Sequence, residues 1–92
     1  MELLYREREG GESYVESYRN VRPSEAAAKA SELLGAGYTE IARNYFGEIE
    51  STVYRRDGDL ALITYYSHIG ELILVTEPDS EYIAYLLSFF KN

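Results

Sequence analysis

Leu60-Ala61-Leu62-Ile63-Thr64-Tyr65-Tyr66 is the stretch around which the rest of the sequence is arranged. Read with the two-residue period of a β-strand, it is apolar on both faces, so both faces are expected to be buried. Turn signals stand on either side, Asp57-Gly58 before it and His68-Ile69-Gly70 after it, and β-rich runs lie beyond them at 51–55 and 72–76. The pattern predicts the central strand of an antiparallel meander, with a type I′ turn and a positive φ at Gly58.

The segment before this meander has the pattern of a hairpin followed by a helix. Gly10-Gly11 suits a two-residue hairpin turn, because glycine adopts the positive φ angles that such turns require. Pro23 fits the first turn of a helix, and the alanine-rich run 25–30 has a strong helical propensity. Gly35 is then expected to end the helix.

Residues 38–50 are compatible with two structures. Thr39 could cap a short helix that ends at Phe46, with the large apolar side chains of that stretch directed inwards. The same residues could instead form a strand that bends at Gly47. The short helix is the prediction, and the strand stays the alternative.

The last stretch has the spacing of a helix that is apolar on nearly all sides. One stripe holds Ile83, Leu86, Leu87 and Phe90, and a second holds Tyr82, Tyr85 and Phe89. We therefore predict a single α+β domain over residues 1–92, in which two helices cover an antiparallel sheet of about five strands. The strands are placed at 2–9, 12–20, 49–56, 60–67 and 71–76, and the helices at 23–34 and 79–91.

The chain has a formal net charge of −7, and its uncompensated negative charge is concentrated towards the end. No lysine or arginine lies between residues 57 and 90, where six acids fall. Such a field repels nucleic acid and anionic membranes and attracts basic partners. Cysteine is absent, and neither a signal peptide nor an apolar run of about 20 residues is seen. We expect a cytoplasmic protein that binds neither nucleic acid nor membranes.

No residue pattern in the sequence points to catalysis. His68 is the single histidine, lies in a turn, and has no neighbour suited to a nucleophile–base pair. His68 and Glu71 together would supply two metal ligands, which is too few to hold an ion. Gly35-Ala36-Gly37 follows a helix, whereas the glycines of a dinucleotide-binding motif follow a strand. We expect a protein that is not an enzyme and has no cofactor.

Two segments resemble parts of a DNA-binding family. Residues 30–43 resemble the opening of a resolvase-type helix-turn-helix, and residues 51–56 resemble its recognition helix. Residues 62–76 would then form a wing. The resemblance implies a winged helix-turn-helix DNA-binding regulator, which is the alternative function. The predicted order of helix, three strands and helix is also similar to double-stranded-RNA-binding domains, although acids stand at 77–81 where that family has lysines.

The abundance of tyrosine points to an interaction surface. Ten of the 92 residues are tyrosines, and tyrosine is enriched at protein interfaces. We predict a non-catalytic protein-binding module whose partner has a basic surface. In size and charge the chain is similar to small acidic phage inhibitors of nucleic-acid-handling proteins, anti-CRISPR proteins among them. A designed α+β protein without natural function is a further alternative, because the run 25–29 is regular.

The predicted contact residues fall into two groups, one around the first hairpin turn and one at the start of the last helix. Acids in both groups would face the basic partner, and aromatic side chains would add contact area. The first group is Glu7, Glu9, Glu12, Tyr14, Glu16 and Tyr18. The second group is Glu77, Asp79, Glu81, Tyr82, Tyr85 and Phe89, and it would contact either the partner or, in a homodimer, a second copy of the chain.

Overall fold

The computed structural model describes residues 1–9 and 13–78, and the side chains of residues 1–6 and 14–76. These residues form one antiparallel sheet of six strands in the order β1-β2-β6-β5-β4-β3, and one helix that leads from β2 to β3. The strands are β1 (Glu2–Glu9), β2 (Ser13–Arg19), β3 (Thr39–Phe46), β4 (Ile49–Arg56), β5 (Asp59–Tyr66) and β6 (Glu71–Pro78), and the helix is α1 (Pro23–Gly35).

The α+β class and the antiparallel sheet are confirmed, but the count of five strands is wrong. Residues 39–46, for which a short helix was predicted, form β3, which pairs along its length with β4. The turn between the two strands has only two residues, and Gly47 takes a φ of 56° in it. A strand here gains an immediate hairpin partner, whereas so short a helix is marginal on its own. The predicted helix 79–91 and the Gly10-Gly11 turn lie outside the described residues.

The helix-turn-helix geometry is not formed in the segments that resemble it. Only residues 30–35 of the first segment are helical, and residues 39–43 belong to β3. Residues 51–56, which would be the recognition helix, lie in β4 between two neighbouring strands. These residues therefore cannot enter a DNA groove as the resemblance implies. Four strands follow α1, so the element order of double-stranded-RNA-binding domains is not matched either.

The core lies between α1 and one face of the sheet, called here the helix face. Tyr18, Leu72 and Tyr65 lie side by side on this face across β2, β6 and β5. The helix contributes small side chains to the contact, with Ala26 and Ala30 packed against the core. The buried apolar residues of the cluster are Tyr18, Val21, Tyr38, Tyr54, Ala61, Ile63, Leu72 and Leu74.

Both ends of α1 are fixed by hydrogen bonds to the backbone. At the start, the N–H of Val21 donates to the carbonyl of Gly70 at 2.9 Å, and its carbonyl accepts the Tyr65 hydroxyl at 2.8 Å. At the end, Nη1 of Arg56 donates to the carbonyl of Ala36 at 3.0 Å. These contacts satisfy backbone groups that the helix itself leaves unpaired and set its position over the sheet.

The Asp57-Gly58 turn differs from the predicted type I′ geometry. The positive φ falls on Asp57, at 53°, and Gly58 is not in the left-handed region. A type I′ turn needs a positive φ at both central residues. The turn therefore does not require glycine at position 58, contrary to the sequence prediction.

Gly58→Ala is expected to raise the free energy of unfolding by about 0.4–1 kcal/mol, because alanine restricts the unfolded chain at a φ that it tolerates. Gly47→Ala is the matched control, and it is expected to cost about 1–2 kcal/mol because its φ is left-handed. An added Cβ meets nothing within 4 Å at either position, so only the backbone conformation differs. Urea denaturation measures both variants. Equal destabilisation by the two substitutions would contradict these turn geometries.

Candidate functional site

A groove opens on the helix face beside α1, towards β3, and it is called here the α1–β3 groove. Its volume is about 280 Å³. The side chains of α1 that form one wall are small, and the floor is supplied by β4 and β5. The lining residues are Pro23, Ala26, Ala27 and Ala30 of α1, Thr52 and Tyr54 of β4, Ile63 and Tyr65 of β5, and Arg43 and Glu50 at the rim.

One guanidinium in the lining lies between two carboxylates, of which Glu50 lines the groove and Glu40 lies outside the lining. Nη2 of Arg43 lies 2.5 Å from Oε1 of Glu40, and Nη1 lies 3.4 Å from Oε1 of Glu50. Nη1 also donates a hydrogen bond to the Tyr45 hydroxyl at 3.3 Å. The hydrogen bonds to Tyr45 and Glu40 raise the pKa of Arg43, so it is charged at every accessible pH. Arg43 and the two glutamates together therefore carry an excess of negative charge.

The floor of the groove is neutral at physiological pH. Tyr54 is buried, and burial raises the pKa of its hydroxyl, with the charge of Glu40 raising it further. Thr52 beside it is also buried. Every buried side-chain nitrogen and oxygen of the described residues has a hydrogen-bond partner. The groove thus combines an apolar wall, a floor whose buried polar atoms are hydrogen-bonded, and a charged rim.

Large apolar side chains are exposed on the edge strand that borders the groove. Ile41, Tyr45 and Phe46 are 42%, 59% and 73% exposed. Register places Tyr45 on the helix face, opposite Glu50, and the next residue, Phe46, on the other face of the sheet. We call the residues Glu40, Ile41, Tyr45, Phe46, Glu48 and Glu50 the β3 surface.

The backbone of β3 is poorly suited to pairing with a further strand. The register with β4 shifts between Glu40 and Ala42, which leaves Ile41 as a bulge. The N–H of Tyr45 donates to Oδ1 of Asn44 at 3.0 Å. Bulges and occupied donors hinder the addition of a strand to a sheet edge. The exposed groups of the β3 surface are therefore its side chains, and its backbone is not arranged to form a further ladder.

A second polar cluster on the helix face stabilises the fold. The buried carboxylate of Glu16 accepts hydrogen bonds from Nη2 of Arg6 at 2.8 Å and from the Tyr18 hydroxyl. Nζ of Lys29 lies 4.8 Å from the centroid of the Tyr18 ring. Burial raises the pKa of Glu16, but the hydrogen bonds from Tyr18 and Arg6 outweigh it and hold the pKa below 4.5. Arg6 and Tyr18 both donate to Oε2 of this buried carboxylate, so that oxygen is already engaged inside the fold.

The residues predicted as partner contacts fall partly in this cluster. Glu16 and Tyr18 are buried, so their side chains are not part of the surface. Tyr14 is half-buried, and burial together with the charge of Glu16 raises its pKa. The other predicted contacts lie outside the described side chains, namely Glu7, Glu9, Glu12, Glu77, Asp79, Glu81, Tyr82, Tyr85 and Phe89. Their partner-binding role stays a prediction.

The exposed pair Tyr45 and Phe46 does not follow from the sequence prediction, which places residues 39–46 in a short helix with an apolar inner side. A strand places neighbouring residues on opposite faces, so Tyr45 and Phe46 cannot share one core. If residues 39–46 are read as a strand, the sequence therefore indicates that at least one of these two aromatic side chains is exposed.

The single histidine lies beside a glutamate at one end of the sheet. Nδ1 of His68 lies 3.8 Å from Oε2 of Glu48 across the sheet end, and both side chains are exposed. Within the described part of the chain, no three His, Asp or Glu side chains are grouped so that they could hold a metal ion. Over the same residues, no helix has the length and apolar character needed to cross a membrane.

Comparisons with protein-family models, with curated protein sequences and with solved structures give no match.

Proposed function

We propose that the chain is a non-catalytic protein-binding module and that its partner presents a basic surface. The contact is the β3 surface together with the α1–β3 groove. The observation that carries the proposal is the exposure of Tyr45 and Phe46 on an edge strand, between carboxylates. Water contact of large aromatic side chains is unfavourable, so their exposure supports a surface that a partner covers.

The charge of the β3 surface supports a basic partner. Glu50 lies opposite Tyr45 across the strand pair, and Glu40 and Glu50 both contact Arg43, so the carboxylates outnumber the guanidinium here. Complementary charge speeds the encounter with a basic face and disfavours acidic ones. The same carboxylates repel phosphate groups, which disfavours nucleic acid and membrane headgroups as ligands.

Binding of this kind would also block the basic face that it covers. A basic face on a nucleic-acid-handling protein is the place where nucleic acid binds. The proposal therefore includes inhibition of such a protein, and the net charge of −7 on a chain of 92 residues supports it.

The test is capture of the partner by substituted forms of the chain. Tyr45→Ser combined with Phe46→Ser removes the aromatic centre of the β3 surface. Leu3→Ser combined with Tyr5→Ser is the matched control, because these side chains are 42% and 48% exposed on β1, the opposite edge strand. From an extract of the source cells, the wild type and the control are expected to retain the same basic proteins. The Tyr45/Phe46 variant is expected to retain about tenfold less.

The retained protein is then purified and its affinity is measured at low and at physiological salt. Affinity is expected to fall as salt rises, because ions screen the charges at the contact. Duplex DNA serves as the competing ligand in a fluorescence anisotropy titration, and no salt-sensitive binding to it is expected. Equal retention by the variant and the control, or tight binding of DNA, would overturn the proposal.

A further inference from the structure

The lining of the α1–β3 groove includes one carboxylate, Glu50, and one guanidinium, Arg43, and Glu40 contacts Arg43 from outside the lining. Glu40 and Glu50 both contact Arg43, at 2.5 and 3.4 Å. Two carboxylates share one guanidinium, so these three side chains together carry one excess negative charge beside the groove. The side chains of Glu40 and Glu50 are 42% and 37% exposed, so a cation that arrives from solvent can reach both.

We infer that the α1–β3 groove binds an arginine side chain carried by the basic partner, with its guanidinium at Glu40 and Glu50 and its stem along α1. The inference rests on the proposed function and specifies one contact of it. Charge complementarity selects a cation, and the shape and lining of the groove select which cation.

The volume of the groove fits a single side chain. Pockets for drug-sized ligands measure about 300–1,000 Å³, and this groove, at about 280 Å³, lies just below that range. Its wall of Ala26, Ala27 and Ala30 is apolar and suits the methylene stem of a long basic side chain. An arginine stem is long enough to leave its charged end at the rim.

The chemistry of the rim and floor favours arginine over lysine. A guanidinium is planar, binds a carboxylate with two hydrogen bonds and stacks on aromatic rings. Tyr65, which is half-buried, supplies a ring in the lining, and Glu50 supplies the carboxylate. An ammonium group is a compact charge and uses neither the forked geometry nor the ring faces as fully.

Arg43 makes, in the free protein, the contacts that the incoming guanidinium would make. It binds Glu40 and Glu50 and donates to the Tyr45 hydroxyl. An internal guanidinium on the same carboxylates weakens the binding of an external one, because it must first be displaced. Removal of Arg43 is therefore expected to strengthen binding, which is the opposite of what removal of a direct binding residue does.

The test is an NMR titration of ¹⁵N-labelled protein with N-acetyl-arginine methylamide. Amide shifts are expected along the groove, at Ala26, Ala30 and Thr52. Arg43→Gln is expected to lower the Kd about two- to fivefold, and Glu50→Gln to raise it by a similar factor, the range found for exposed ion pairs. The methylamide of N-acetyl-norleucine, which has an apolar stem and no guanidinium, is expected to give no saturable shifts.

Two leucine substitutions on α1 provide a matched pair that leaves the fold intact. Ala27→Leu fills the mouth of the groove, whereas Ala28→Leu lies on the same helix outside the lining. Both alanines are exposed, and leucine is a good helix former, so both variants are expected to fold. Ala27→Leu is expected to abolish the titration, and Ala28→Leu to leave the Kd unchanged.

Three results would overturn the inference. They are shifts that map away from the groove, an Arg43→Gln variant that binds no tighter than the wild type, and equal binding by the Ala27→Leu and Ala28→Leu variants. If the arginine amide does not bind while partner capture still depends on Tyr45 and Phe46, the inference fails and the proposed function stands. If capture does not depend on them, the proposed function itself fails.

Discussion

Leu72→Ala is expected to lower the free energy of unfolding by about 2–5 kcal/mol, the largest effect of any substitution considered for this chain. Leu72 is 0% exposed. It belongs to β6, one of the two middle strands of the sheet, and lies between Tyr18 of β2 and Tyr65 of β5. Truncation to alanine removes buried methyl groups and leaves a cavity that the rings of its neighbours can fill only in part. Urea denaturation followed by circular dichroism measures the loss.

Leu34→Ala is the control for this prediction. It is the same chemical change on α1, but Leu34 is 53% exposed, so the expected loss is within about 0.5 kcal/mol. A loss below about 1 kcal/mol for Leu72→Ala, or equal losses for the two variants, would show that the core does not lie between α1 and the helix face.

Glu16→Ala is expected to cost about 1–3 kcal/mol, the second largest effect. Its carboxylate is buried and binds both Arg6 and the Tyr18 hydroxyl. Without it the buried Tyr18 hydroxyl loses its acceptor, which carries most of the cost. Arg6 is 54% exposed and can be solvated instead, so the cost stays below that of breaking a fully buried ion pair. Tyr18→Phe, which removes the hydroxyl and spares the ring, separates the two contributions.

The pH dependence of stability tests whether the charge of Glu16 contributes to the free energy of unfolding. Its pKa is held below the ordinary value of 4.5 in the folded protein, so its charge stabilises the fold fully above pH 4.5. That stabilisation is lost as the pH falls through the folded pKa. The difference in unfolding free energy between the wild type and Glu16→Gln is therefore expected to be largest at neutral pH and to shrink in acid. A difference that does not change with pH would contradict this role.

The meander and α1 could be predicted from sequence because their signals are local. The run 60–66 is flanked by turn residues and by two β-rich runs within a few residues, so its partners are its neighbours along the chain. The alanine-rich run after Pro23 has high helical propensity in any surroundings. Both assignments are confirmed by β4, β5, β6 and α1.

β3 could not be assigned in the same way, because the apolar residues among its eight positions fit both the period of a helix and the period of a strand. Thr39 resembles a helix cap, and Ile41, Ala42, Tyr45 and Phe46 are spaced one turn apart as well as along a strand. Pairing with β4 decides between the two, and this is a tertiary effect that propensity does not contain.

The candidate site depended on the same assignment. Exposure of Tyr45 and Phe46 follows from the place of β3 at the edge of the sheet, and sequence spacing does not reveal strand order. The charges at the rim were visible as residue types, but their meeting at Arg43 required the register of β3 with β4 and the bulge at Ile41. The excess of acids, in contrast, was evident from composition.

The strand order divides the sheet into two parts, each built from strands that are consecutive in sequence. Every pairing within the β3–β6 half joins consecutive strands, as does the pairing of β1 with β2. Among the strands that the structure describes, only the pairing of β2 with β6 joins distant residues, and it sets Val15 opposite Val75. During synthesis from the N-terminus, β2 therefore has no inner neighbour until β6 has been made. Until then the inner edge of β2 lacks its strand partner, so the β2–β6 pairing cannot form before the other five strands have been synthesised.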